Sequence, residues 1–318
     1  MQNPLSRFSC KCLFFFVLAF IATAAIADGV GIIRQSNTTS ELHSIAFTPD
    51  GQRGWAVGFN GSIITTTDGG QTWTPQSSGT NNELQSVFFT ANGQHGWVVG
   101  FGGTILATRN GGASWSQQNS GTSNELASVF FTPAGRTGWA VGFNGTILAT
   151  HDGGLSWKPQ ESGSNNALNS VSFSPDGKHG YIVGFGGLIL ATSDGGAKWN
   201  RQESGTSNEL NSVSLAKAGQ SAWAAGFGGV IVTTANAGRS WRMLATDSHN
   251  ELNAISFSAD GQTGWAVGFN GSILTSHNGG ETWRALSSGT ANELNAICTT
   301  HSGKHAWSAG FGGVIIQH

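Results

Sequence analysis

Short apolar runs separated by small and polar residues recur along this chain, and the stretch from Glu125 to Asn166 shows the pattern in one copy. Leu126-Ala-Ser-Val-Phe-Phe-Thr132 is rich in β-branched and aromatic residues and predicts a first strand, which Pro133-Ala-Gly135 turns back. Gly138 to Phe143 reads as a second strand. Period-two alternation places Trp139, Val141 and Phe143 on one of its faces and the small Ala140 and Gly142 on the other. Asn144-Gly145 between two apolar runs predicts a hairpin, because both residues adopt positive φ cheaply. Thr146 to Thr150 is the third strand. Asp152 to Trp157 forms the turn into a fourth that contains Lys158, Pro159 and Gln160, and the proline suits an edge position. A polar stretch, Ser162 to Asn166, leads into the next copy.

The copies are equal in length. Trp55, Trp97, Trp139, Tyr181, Trp223, Trp265 and Trp307 stand 42 residues apart without insertion or deletion. Seven such units of four short strands with Gly-rich turns predict an all-β, seven-bladed β-propeller. The seventh unit stops at His318, aligned with Thr66 of the first, so it lacks its turn and fourth strand. Gly31 to Ser36 aligns with the fourth-strand segment Trp73 to Ser78, so the N-terminal strand is expected to complete the last blade and remove an open sheet edge.

The N-terminus has a different character. Arg7 and Lys11 precede an uncharged run from Leu13 to Ile26 that ends in Ala25-Ile26-Ala27, the pattern of a secretory signal peptide over residues 1–27. The run is short for a membrane span of about 20 residues. A single propeller domain over residues 28–318 is therefore expected, exported to a periplasm in first place, with a thylakoid lumen or the medium as alternatives, and not membrane-spanning once cleaved. Cys10 and Cys12 leave with the leader. Cys298 alone remains, so no internal disulfide is available, and a buried inert thiol is the expectation for it. The 15 Lys and Arg against 17 Asp and Glu give a formal charge of −2, and losing Arg7 and Lys11 takes it to −4. Without clustered cations, nucleic acid is not an expected partner.

Before each fourth strand lies a recurrent turn: Thr66-x-Asp68-Gly-Gly-x-Thr72-Trp73, with counterparts ending at Trp115, Trp157, Trp199, Trp241 and Trp283. Three of the six carry Asn (Asn110, Asn236, Asn278) in place of Asp, which points to hydrogen bonding of the turn rather than to acid catalysis or metal binding. These turns look like the Asp-boxes of bacterial neuraminidase-type repeats. With G-W-x-V-G-F-x-G-x-I-L-x-T before the box, the repeat resembles the photosystem II stability and assembly factor family and its exported bacterial relatives, from about Gly31 to the end. The resemblance implies an assembly chaperone that binds a reaction-centre subunit, and a binding patch rich in arginine. The basic residues of this chain are scattered.

Strand alternation puts the second-to-third turns and the blade-to-blade loops on one face, here called upper. Its loops, such as Ser78 to Asn82 and Ser288 to Asn292, contain no Lys or Arg. Glu41, Glu83, Glu125, Glu209, Glu251 and Glu293 start the first strands there, with Ala167 as the exception. This ring can attract a cation or a basic peptide segment, or each carboxylate can serve loop N–H groups of a neighbouring blade. The ring Phe59, Phe101, Phe143, Phe185, Phe227, Phe269 and Phe311 is expected in the inter-blade core, with a ligand platform as the alternative. His95, His179 and His305 share a repeat position in different blades, and no metal site or cofactor is expected.

Three functions compete: a non-catalytic protein that holds a polypeptide, a multivalent lectin using Asn82, Asn124, Asn166, Asn208, Asn250 and Asn292, and a glycoside hydrolase. A sialidase needs an arginine clamp and usually a tyrosine nucleophile, yet the only tyrosine, Tyr181, fills a structural Trp slot. Other glycosidases use two carboxylates on loops that differ between blades, and equal repeats leave no room for them. Binding of a polypeptide, with no catalysis, is the expected function.

Overall fold

A computed structural model describes residues 31–216 and 219–318, and the expected leader over 1–27, with Cys10 and Cys12, lies outside them. The described residues form seven four-stranded antiparallel sheets. In the third blade the strands are Leu126–Phe131, Gly138–Gly142, Ile147–Thr150 and Lys158–Gln160 from the central axis outward. The Asn144-Gly145 turn has φ of 54° and 65° at its two residues, as the hairpin chemistry requires. Ile32–Arg34 pairs antiparallel with Ile315–Gln317, with Ile33 opposite Ile316, and becomes the outer strand of the seventh blade. The Arg34 guanidinium donates to the Gln317 side-chain carbonyl across that pairing.

The core lies between blades, because each sheet is apolar on both faces and must cover them with its neighbours. Trp139 and Val141 face Leu168, Val171 and Phe173 of the fourth blade, while Ala140 from the opposite side of the same strand packs with Trp97 and Val99 of the second. Small residues on one face and large on the other let neighbouring sheets approach. The Trp139 ring stacks on Phe173 with centroids 3.5 Å apart, and Phe173 meets the box Trp199 edge-on at 5.7 Å. Such pairs add about 0.5–1.5 kcal/mol each beyond burial. The indole N–H of Trp139 donates to the carbonyl of Gly195 in the next blade's box, at 3.3 Å. Trp55, Trp97, Trp223 and Trp307 repeat this bond. Trp265 does not. Among the described residues the seventh blade supplies no box carbonyl, and the Trp265 Nε1 is buried there with no acceptor.

The boxes work through hydrogen bonds. Asp68 Oδ1 accepts from the Thr72 N–H at 2.9 Å and Oδ2 from the Thr72 hydroxyl at 2.6 Å. In the Asn variant, Asn110 Oδ1 accepts from the Ser114 N–H at 3.0 Å while its amide donates to the Ser114 hydroxyl at 2.9 Å. The hydroxyl changes role and the turn stays the same.

One expectation fails. The seven phenylalanines assigned to the inter-blade core are 47–57% exposed. Alternation carries Trp139, Ala140 and Val141 into the core, but the strand ends at Gly142. The Phe143 N–H turns aside to donate to the Glu125 carbonyl at 3.0 Å, and the chain enters the tight Phe143–Gly145 turn, so its side chain emerges on the upper surface. Gly142 permits the crossing: a Cβ there would stand 1.9 Å from the Glu125 oxygen.

Candidate functional site

The upper face is built from the starts of the inner strands, the tips of the second-to-third turns and the loops between blades. Each glutamate sits at the start of an inner strand, half-buried, with its backbone carbonyl accepting the N–H of its own blade's turn phenylalanine, as Glu41 does for Phe59 at 2.9 Å. Its side chain reaches the preceding blade. Asn169 donates to Glu209 Oε1 at 2.8 Å, Asn211 to Glu251 at 2.9 Å, Asn253 to Glu293 at 2.8 Å, and Asn295 to Glu41 at 2.9 Å across the seam. His43 Nε2 lies 3.2 Å from Glu83 Oε1, and Gln85, in the same blade as Glu83, donates to that oxygen at 3.2 Å. Four of the seven blade boundaries thus carry a hydrogen bond from an asparagine to a carboxylate, and a fifth brings His43 up to Glu83. The boundary between the third and fourth blades has Ala127 and Ala167 at the two positions.

Glu41, Glu209, Glu251 and Glu293 are thus bonded by asparagines of the neighbouring blade rather than by loop N–H groups. Glu125 has its carboxyl pushed above the usual range, first by burial and then by the charge of Glu83, against the lowering effect of the Gln85 bond. Adjacent carboxylates in this ring repel each other. The recurrent loop asparagines are also engaged. Asn82 donates to Thr104 Oγ1 at 2.8 Å and Asn124 to Thr146 Oγ1 at 2.8 Å, while Asn166, Asn208 and Asn292 donate to the carbonyls of Phe185, Phe227 and Phe311. Each amide ties a loop to the turn that presents the aromatic ring.

What sequence reasoning missed here is the exposure of the phenylalanine ring, which it placed in the core ahead of a ligand platform. The signal was present: each Phe stands between a Gly and an Asn-Gly or Gly-Gly pair, which marks it as a turn residue rather than a strand residue. Seven equivalent, half-exposed aromatic side chains are held on short turns fixed at both ends. The remaining candidates lie apart. Tyr181 is buried in its Trp slot, and burial pushes its hydroxyl up to about 12. Cys298, partly buried beside the inner core, has its thiol pushed up to about 11 by desolvation. Among the described residues, no group of three or more His, Cys, Asp or Glu is placed to hold a metal ion, and no helix is long and apolar enough to cross a membrane.

The family model described as photosynthesis system II assembly factor YCF48 matches residues 32–122 and 162–251, together more than half of the chain. The chain belongs to this family. A stretch of 37 residues is 54% identical to the photosystem II assembly lipoprotein Ycf48 of Picosynechococcus sp., covering 12% of this chain and 11% of that protein. The fold matches a solved structure described as YCF48 bound to D1 peptide, with a TM-score of 0.75, 24% identity, and 91% of this chain and 97% of that chain covered. It also matches YCF48 from Cyanidioschyzon merolae, with a TM-score of 0.73, 22% identity, and 91% and 98% covered. At that identity the two solved structures speak for the propeller fold, and membership rests on the family model.

Proposed function

We propose that this chain is an exported, non-catalytic assembly-factor propeller that holds a polypeptide partner on its upper face. The observation that carries the reading is the ring of seven half-exposed phenylalanines on a rigid, closed scaffold, an apolar surface of the kind that marks a protein contact. Family membership supports it, and a relative described as bound to D1 peptide offers a precedent for a polypeptide ligand. The site gives catalysis no footing: Glu41, Glu209, Glu251 and Glu293 are engaged by asparagines of the preceding blade, the tyrosine hydroxyl is buried, and all blades have equal loops. Removal of residues 1–27 leaves the propeller of 28–318 in the exported compartment, a periplasm.

Photo-crosslinking from positions on the upper and lower faces in the native host, read by mass spectrometry, tests the reading. A recurrent polypeptide attached through upper-face positions is expected. Hydrolysis of chromogenic glycosides by the purified protein, abolished by changing one upper glutamate, sinks it. Cell fractionation checks the compartment, with the processed chain expected in the periplasmic fraction.

A further inference from the structure

We propose that the upper face selects a cationic partner segment, one whose Lys or Arg side chains lie over the exposed phenylalanine rings while its charge meets the carboxylates between them. This rests on the reading of the upper face as the binding surface and adds the chemistry of what it takes.

The argument starts from sign. The upper loops and turns contain no Lys or Arg, while six inner glutamates are joined by Glu161, Glu203 and Asp247 where the outer strands give way to blade-to-blade loops. The only residues there able to become cationic are histidines, His43 beside Glu83 and His249 in a loop. Among the described residues, arginine and lysine lie on the outer strands and the lower turns, as with Lys158, Arg201 and Arg242 on the former and Arg53, Arg136 and Lys178 on the latter. A face of a single sign, with low-dielectric walls, concentrates opposite charge over it.

The aromatic ring makes that preference specific. A purely apolar partner would leave the carboxylates beside it desolvated without compensation, and an acidic one would add to a repulsion already felt between Glu83 and Glu125. A guanidinium or ammonium does neither. It is attracted to the face of a phenylalanine ring by the ring quadrupole, and its aliphatic stem covers apolar area at the same time. Six repeats of one ring-and-carboxylate unit around an axis, with a seventh ring that lacks the glutamate, suit a segment with several cations, since each weak contact raises the effective concentration for the next. The blade boundary at Ala127 and Ala167 interrupts the carboxylate ring, so the face is not symmetric and the segment has a preferred orientation on it.

The test uses the full mature chain and fluorescein-labelled peptides of one length built from Lys-Gly-Ser, Arg-Gly-Ser, Glu-Gly-Ser or Ala-Gly-Ser repeats, read by anisotropy. The Lys and Arg peptides are expected to bind, with affinity that falls as salt rises, and the Glu and Ala peptides at least tenfold more weakly. Phe101→Ser with Phe143→Ser, both on exposed turn tips, should weaken the cationic peptides about tenfold, and Glu83→Gln with Glu125→Gln should flatten the salt dependence. Circular dichroism and thermal melting of each variant exclude misfolding as the cause. Binding of the Ala or Glu peptide as tight as that of the Lys peptide, or cationic binding untouched by both double variants, overturns the inference. Should crosslinking show a polypeptide on the upper face whose contact segment is acidic or neutral, the partner chemistry fails while the function stands. A partner crosslinked only to the lower face removes both.

Discussion

Trp265 lies against His318, ring centroids 5.1 Å apart and planes 29° from parallel, at the seam where the sixth blade meets the last. Every other second-strand tryptophan donates its indole N–H to the box carbonyl of the following blade, and here the described residues offer no such carbonyl. His318 takes its place as packing partner, with its Nε2 2.9 Å from the Ser308 hydroxyl.

That substitution makes the seam sensitive to acid. Burial lowers the His318 ring from its ordinary 6.5 to about 4, so the folded protein holds it neutral while the unfolded chain protonates it first. Stability from this group is complete above pH 6.5 and is lost progressively as pH falls to about 4, to an extent of at most about 3 kcal/mol. Denaturant melts of the wild type against His318→Asn between pH 7 and 4.5 should show a steeper decline in the wild type. Parallel curves would remove the assignment. The box carboxylate of Asp68 does not confuse the window, because its hydrogen bonds hold it at about 2 and its contribution is lost only as pH falls below its ordinary 3.8 toward that value.

Ala127 and Ala167 predict a gain. Installing the missing link with Ala127→Asn and Ala167→Glu should stabilise the propeller by about 0.5–1.5 kcal/mol, the net worth of a hydrogen bond to a charged group at this depth. Neither change alone should deliver it. A double-mutant cycle by urea denaturation reads the coupling directly, and additivity of the two single changes would show that the links at the other boundaries are incidental.

Two phenylalanines in one blade should separate packing from presentation. Phe131 is fully buried, stacked on Trp97 at 3.6 Å and edge-on to Trp157, so Phe131→Ala should cost about 3–5 kcal/mol. Phe143, only 12 positions along, stands on an exposed turn, and Phe143→Ala should change stability by less than about 0.5 kcal/mol. Thermal melts of the two variants check this, and a comparable loss in both would return Phe143 to the core.

In the box of the first blade, Asp68→Asn should leave the melting temperature close to that of the wild type, because Asn110 and Asn236 already fill the same position with an equivalent bond set. Asp68→Ala should lower it, since the Thr72 N–H and hydroxyl lose their acceptor. Equal losses in Asn and Ala variants would mean that the charge, not the bonding pattern, holds the turn.

The 42-residue interval of Trp55 to Trp307, the Asn-Gly turns and the apolar alternation determined the blade count, the order of strands and the closure by Ile32–Arg34, because these depend on local turn chemistry and on repetition that is visible in one dimension. Only the tertiary structure decided where the recurrent side chains go. Phe143 leaves the period-two pattern because a backbone bond to Glu125 ends the strand at Gly142, and that bond joins segments 18 residues apart in sequence. Glu209 finds Asn169 a full blade away, and Trp265 lacks the acceptor that its counterparts have, because donors and acceptors at these positions belong to different blades and meet only when the ring closes.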